Sequence, residues 1–244
     1  MTLPNVVVSL SALPKTGKNH FAYTSEGPIR VYCFNGGADF IKTKFPDKQI
    51  DVVNFRMPII EDNSNKWASP LWEQLRDQYI KDIDSGIYRT YVFDTATEIE
   101  NIIQQAVLED LQELASDKGK RDKEKLATTE FLARNLKMKS LFDRAKSAGV
   151  NLISLQYLKE EWVKQPGSER AEQTGKYVID GWKRTESQAD INLEMTTKEK
   201  PGAKGRKKVT VTKLVSNRFD QDIDGQVFED TTFDEILMIV FPES

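Results

Sequence analysis

Val6-Val7-Val8-Ser9-Leu10, followed by Ala12-Leu13-Pro14-Lys15-Thr16-Gly17-Lys18-Asn19, is the stretch that decides how this chain reads. The first run is short and β-branched, as a buried strand is, and a Pro/Lys/Gly cluster cuts it off. A helix is expected over Lys18–Ser25. Strand, glycine turn and helix in this order are the setting of the phosphate loop GxxxxGK[ST]. In that loop backbone N–H groups wrap phosphates, the lysine reaches the β and γ oxygens, and the hydroxyl holds Mg²⁺. Gly17 and Lys18 match the pattern, whereas Ala12 replaces its first glycine and Asn19 its Ser/Thr. The start of a helix favours an anion through free N–H groups and its dipole. An ordinary strand-to-helix turn carrying lysines is the plainer reading of the same residues.

Working outward, Ile29–Phe34 is a second strand, stopped by Asn35-Gly36-Gly37. A short strand at Asp51–Phe55 and a polar loop over Glu61–Ser69 precede a helix over Pro70–Asp84. That helix aligns Leu71, Leu75, Tyr79 and Ile83 on one face and ends at Gly86. Tyr91-Val92-Phe93 is a strand ending in Asp94-Thr95. Amphipathic helices are expected at Thr97–Ser116 and Thr129–Ser147, with a solvated Asp117–Lys125 between them and a β-rich run at Val150–Leu155 behind. Such alternation builds a parallel sheet covered by helices. Ile191–Thr196 and Val209–Val215 alternate apolar and polar residues around Pro201–Gly205, as an antiparallel hairpin does. Thr232–Phe241 closes the chain as a helix with Phe233, Ile236, Leu237 and Val240 inward. The expected architecture is one α/β domain over 1–244, mainly parallel, with an antiparallel hairpin over 191–218 at its C-terminal edge.

The 244 residues include one cysteine, Cys33, and one histidine, His20. A disulfide framework, a multi-cysteine zinc site and any two-histidine mechanism are therefore excluded. Neither residue shows a partner in the sequence, so both read as structural. No apolar run approaches the roughly 18 residues of a membrane span, and no signal-peptide core is visible. A net charge of −3 argues against a wholly basic nucleic-acid coat, though not against local basic patches.

Arg89-Thr90-Tyr91-Val92-Phe93-Asp94-Thr95 adds a second element, an apolar strand ending in an acid that organises a metal's water shell. Many strands end in aspartate merely as a cap, so its weight comes from following the Lys18 loop at domain-scale spacing. At this point the chain resembles the single-domain RecA-like P-loop ATPases of phages, associated with recombination and replication. The resemblance rests on Pro14–Lys18, His20-Phe21-Ala22, Gly36-Gly37, Asp94-Thr95, the strand ending in Gln156, Ala189-Asp190, and Lys213 through Asn217-Arg218-Phe219. It implies ATP and Mg²⁺ as cofactors, with Pro14, Lys15, Thr16, Gly17, Lys18 and Asn19 around the nucleotide and Asn19 and Asp94 at the metal. It also implies a cytoplasmic protein of a phage-infected bacterial cell that forms a homo-oligomeric ring or filament beside other recombination or replication proteins. In such proteins a carboxylate before the Gly-Gly pair activates the attacking water, and here that position is Asn35. An amide cannot take the proton. Lys213 and Arg218 stand where basic residues of the family reach the γ-phosphate of a neighbouring subunit; a surface ion pair is the alternative.

Residues 156–190 read as a long polar loop in which aromatics alternate with cations. Trp162, Lys164, Trp182, Lys183 and Arg184 would stack and grip single-stranded DNA there, unless the two tryptophans are anchors of a lid. Lys204, Arg206, Lys207 and Lys208 at the hairpin tip could hold phosphates or simply keep the hairpin soluble. Three functions stay open. One is an ATP-binding, DNA-binding protein with weak or lost hydrolysis. Another is a fully active DNA-dependent ATPase or recombinase in which Glu98 supplies the carboxylate. The third is a non-enzymatic adaptor with a vestigial loop.

Overall fold

Strand β1 (Val7–Ala12) is buried along its whole length because the sheet continues on both sides of it. The computed structural model describes residues 3–58, 66–116, 126–164, 170–202 and 205–242. Its sheet has nine strands in the order β3-β2-β4-β5-β1-β7-β8-β9, with β6 attached to β5. β2 (Ile29–Cys33), β3 (Ile50–Asn54), β4 (Thr90–Asp94), the first half of β5 (Asn151–Lys164) and β7 (Ile191–Gly202) join β1 in a parallel core. β6 (Ala171–Asp180), β8 (Gly205–Asn217) and β9 (Val227–Glu229) pair antiparallel. The expected α/β architecture with its antiparallel C-terminal edge is what the chain adopts.

The two-residue period of a strand sorts these side chains into two cores. Val7, Tyr32, Tyr91, Phe93 and Leu152 face α3 (Ala68–Asp84), α4 (Ala96–Ser116) and α5 (Phe131–Ala148). Their neighbours Val8, Val31, Val92 and Ile153 face α1 (Lys18–Ala22), α2 (Ala38–Lys42) and α7 (Phe233–Val240). Fully burying each such side chain contributes roughly 1.5–3 kcal/mol. Two buried carboxylates tie the helices to their surroundings. The carboxylate of Glu109 on α4 accepts the N–H groups of Trp67, Ala68 and Ser69 at 3.1, 3.1 and 2.8 Å, capping α3. Asp82 on α3 receives Arg30 at 2.7 Å and the Tyr32 hydroxyl at 2.8 Å, tying α3 to β2. The closing helix starts with a reciprocal Thr232–Glu235 capping box, which fixes its entry into the second core.

Three sequence expectations change. Where a long loop is expected over 156–190, the described residues form an arm instead. β5 runs on to Lys164, pairs with β6 from Tyr157↔Asp180 to Lys164↔Ala171, and a short helix α6 (Thr185–Gln188) follows. Most of the arm is exposed on both faces, so no apolar alternation marks it in the sequence. The helix after the phosphate loop is five residues long, not eight. Thr24 and Ser25 turn their hydroxyls back onto the carbonyls of Phe21 and Ala22 and end it. Trp182 lies in the first core, 1% exposed, with its indole N–H donated to Asn135 Oδ1 at 2.9 Å, so it cannot stack a base. Asp117–Lys125 lies outside the described residues. Among the described residues no helix is long and apolar enough to cross a membrane.

Candidate functional site

Helices α1 and α4 leave the carboxyl ends of β1 and β4 toward opposite faces of the sheet, and that divergence opens a crevice where parallel sheets hold ligands. The turn leaving β1 is curled by two left-handed residues, Lys15 (φ 64°) and Gly17 (φ 101°). A side chain at 17 would be strained by that φ, and its Cβ would lie 3.5 Å from Thr210 Cγ2. Thr16 braces the curl by donating its hydroxyl to Leu13 O at 2.9 Å. Among the described residues the backbone N–H groups of Lys15, Thr16, Gly17 and Lys18 find no acceptor, and together they form an anion-binding concavity. With α1 so short, this concavity rather than a helix dipole supplies the main-chain attraction.

Lys18 is 5% exposed and donates to the carbonyls of Ala12 and Leu13 at 3.2 and 3.3 Å. Burial lowers its pKa to about 8, against the attraction of Asp94. Asp94 ends β4 inside the crevice. Its carboxylate accepts the Asn19 amide at 2.6 Å, so Asn19 Oδ1 is the end turned away from it. Burial pushes the Asp94 carboxyl up, opposed by its bonds to Asn19 and Cys33 and by the Lys18 charge. The Asp94–Thr95 peptide is cis, and the buried Thr95 hydroxyl has no hydrogen-bond partner among the described residues. Asn35 follows β2, whose Cys33 is the register partner of Asp94, and its Nδ2 donates to the Tyr157 hydroxyl at 3.2 Å. Glu98 is half-buried in the first turn of α4.

The AAA domain family matches residues 5–219. This chain belongs to the AAA domain family. The match supports a P-loop NTPase-type domain, and Lys18, Asn19 and Asp94 are the side chains that converge in its crevice. No curated protein matches the chain.

Two features of this AAA domain were not legible in its sequence. A cavity of about 320 Å³ opens beside Gly17, between His20 and Phe21 of α1, the following Thr24, and Met195, Thr210 and Asp230. Tyr157, within the stretch that the sequence reads as a long polar loop, lies over the phosphate-type loop with its ring 4.5 Å from Lys18 Nζ. Pairing of β1 with the sequence-distant β5 and β7 creates both places, and no local pattern signals them.

The remaining candidates lie apart from the crevice. Trp162, 58% exposed, and Lys164 stand on the arm, and Lys183 and Arg184 are exposed before α6. Trp162, Tyr177, Lys159 and Lys183 line a groove of about 690 Å³ together with Glu160, Glu161, Glu186 and Glu194. At the tip Arg206 pairs with Glu199 at 3.0 Å, Lys207 reaches Asp230 at 3.4 Å and Lys208 is exposed, while Lys204 lies outside the described residues. Lys213 is exposed on β8 opposite Glu194, and Arg218 donates to Ser187 O at 2.6 Å and lies 3.7 Å from Asp190. His20 packs against Phe45, and Cys33 is buried.

A Mg²⁺–nucleotide fits these residues. Magnesium takes one or two protein carboxylates plus phosphates and water rather than an all-protein cage. The buried Asp94, the Asn19 amide oxygen and the orphaned Thr95 hydroxyl suit that arrangement. Among the described residues no cluster of three or more acidic, histidine or cysteine ligands exists.

The lowered Lys18 pKa gives a signed pH dependence. A phosphate favours the ammonium form, so nucleotide binding takes up a proton once Lys18 is neutral in the free protein. Affinity is expected to fall as pH rises through about 8. Burial raises the Tyr157 hydroxyl, which stays neutral across that range. Calorimetry of ATP binding from pH 7 to pH 9.5 checks this; a flat profile contradicts it.

Proposed function

We propose that this AAA domain is a phage-type, RecA-like protein that binds Mg²⁺–ATP and single-stranded DNA in recombination or replication, with weak or lost hydrolysis. The observation that carries it is the clasp of Asn19 on Asp94 beside the Lys18 loop, with an amide, Asn35, beyond the adjacent strand. Lys18 and the free loop N–H groups grip the phosphates, Asp94 and Asn19 Oδ1 hold the metal, and the cavity beside Gly17 takes the nucleoside end. Binding is thus provided for, whereas a general base at 35 is not. The adjacent Glu98 keeps the fully active reading open.

DNA binding is supported by the exposed Trp162 and Tyr177 on the arm and by the cations of the β7–β8 tip. Four glutamates in the groove oppose phosphates, so the rings would supply the affinity there and the tip the salt dependence. Lys213 and Arg218 would serve a neighbouring copy's γ-phosphate in a ring or filament. Trp162→Ala is expected to cost about 1–3 kcal/mol of single-strand affinity in an anisotropy titration with an oligonucleotide. Neutralising Arg206, Lys207 and Lys208 should flatten the salt slope. Trp182→Ala should destabilise the fold instead. Titrations in which neither the arm nor the tip changes affinity would favour an adaptor.

A further inference from the structure

Tyr157 stands where three parts of the molecule meet, and nothing proposed above uses it. It is the last residue of β5 in register with β1, opposite Ala12, and the first of the arm, opposite Asp180. Its ring lies 4.5 Å from Lys18 Nζ, and its hydroxyl accepts from Asn35 at 3.2 Å. Its backbone N–H donates to Thr97 Oγ1 at 3.1 Å, and the Thr97 hydroxyl donates to Asp180 O at 2.6 Å. One threonine in the first turn after Asp94 therefore clamps both strands at the root of the arm.

Lys18 is held at rest by two neutral carbonyls and this ring. A phosphate on the loop offers charge-assisted hydrogen bonds, which are stronger than those to neutral carbonyls. The lysine then turns to the phosphate and the ring loses its cation. We infer that Tyr157 is a positioning residue that holds Lys18 in a resting place and, when nucleotide draws the lysine away, passes that change to the arm. The inference rests on the nucleotide reading of the loop. Its energetic content is a competition: a cation over an aromatic face is favoured roughly two- to thirtyfold, and binding must overcome that preference. By linkage, a ligand on the arm that favours the released ring tightens nucleotide by the same factor by which nucleotide tightens that ligand. Lys18 stands over the ring, and burial first, then Asp94, Glu98 and Cys33, disfavour ionisation of the Tyr157 hydroxyl against its bond to Asn35, so the ring acts as a neutral group.

Hydrogen exchange of residues 158–164 and 171–180, with and without a non-hydrolysable ATP analogue and Mg²⁺, tests this on the whole chain. Wild type and Tyr157→Phe, which keeps the ring, should show altered arm exchange on adding nucleotide. Tyr157→Leu should bind the analogue two- to thirtyfold more tightly while its arm no longer responds. A purely structural role would not tighten binding, nor be rescued by phenylalanine. Tyr157→Met carries the same expectations should the leucine variant not fold. An arm that responds equally in Tyr157→Leu, or does not respond in a wild type that binds the analogue, overturns the inference. A wild type that binds no analogue overturns the nucleotide reading itself.

Discussion

Lys18→Ala is expected to weaken Mg²⁺–ATP binding by about 100-fold or more. Hydrogen bonds between ionised partners are worth about 1.5–3 kcal/mol each, and the lysine supplies at least two of them to the phosphates. Every 1.4 kcal/mol is tenfold in affinity. The free variant should fold normally and be no less stable than wild type. The depressed pKa of Lys18 shows that burying its charge is unfavourable; that cost is present in full below pH 8 and is relieved as pH rises from 8 toward the ordinary lysine value. Loss of binding without loss of stability, seen by calorimetry and thermal melting together, separates a ligand contact from a folding defect.

Asn35→Glu combined with Asn19→Thr is expected to raise ATP hydrolysis about 10²–10⁴-fold where geometry allows. A carboxylate at 35 would face the Tyr157 hydroxyl, which accepts from Asn35 now and could donate to the carboxylate instead. A threonine at 19 can donate to Asp94 as the amide does, and still turn a compact oxygen to the metal. Asn19→Thr alone should tighten Mg²⁺–ATP more than metal-free ATP. Asn35→Glu alone should act on turnover and leave affinity nearly unchanged. Steady-state phosphate release measures both. A wild type already turning over at about 0.1–100 s⁻¹ contradicts the impaired-site reading. A double variant no faster than a slow wild type moves the defect elsewhere, most directly to an absent subunit interface.

The parts of this molecule written locally were legible in its sequence. Val7–Ala12 and Thr90–Asp94 read as strands because their runs are short, β-branched or aromatic, and end at turn residues. The face of α3 built on Leu71, Leu75, Tyr79 and Ile83, and that of α7 built on Phe233, Ile236, Leu237 and Val240, follow from helical spacing. Lys18 and Asp94 were legible as partners because order and spacing in a parallel sheet bring such strand ends together. The β5–β6 arm was not, since its outer residues are solvated on both faces and carry no period. Trp182 misled for a related reason: its cationic neighbours Lys183 and Arg184 point to solvent while the indole turns into the core beside Phe142. Tyr157 over Lys18 depends on the β1–β5 register alone, which no stretch of sequence states.

The most direct test of the central claim is a calorimetric titration of ATP with Mg²⁺ into the wild-type protein beside Lys18→Ala at pH 7. One nucleotide per chain in the wild type, lost or weakened about 100-fold in the variant, is the result expected from a phosphate loop closed by Lys18 and clasped to Asp94. Equal affinity in the two proteins, or no binding to a folded wild type, would contradict it.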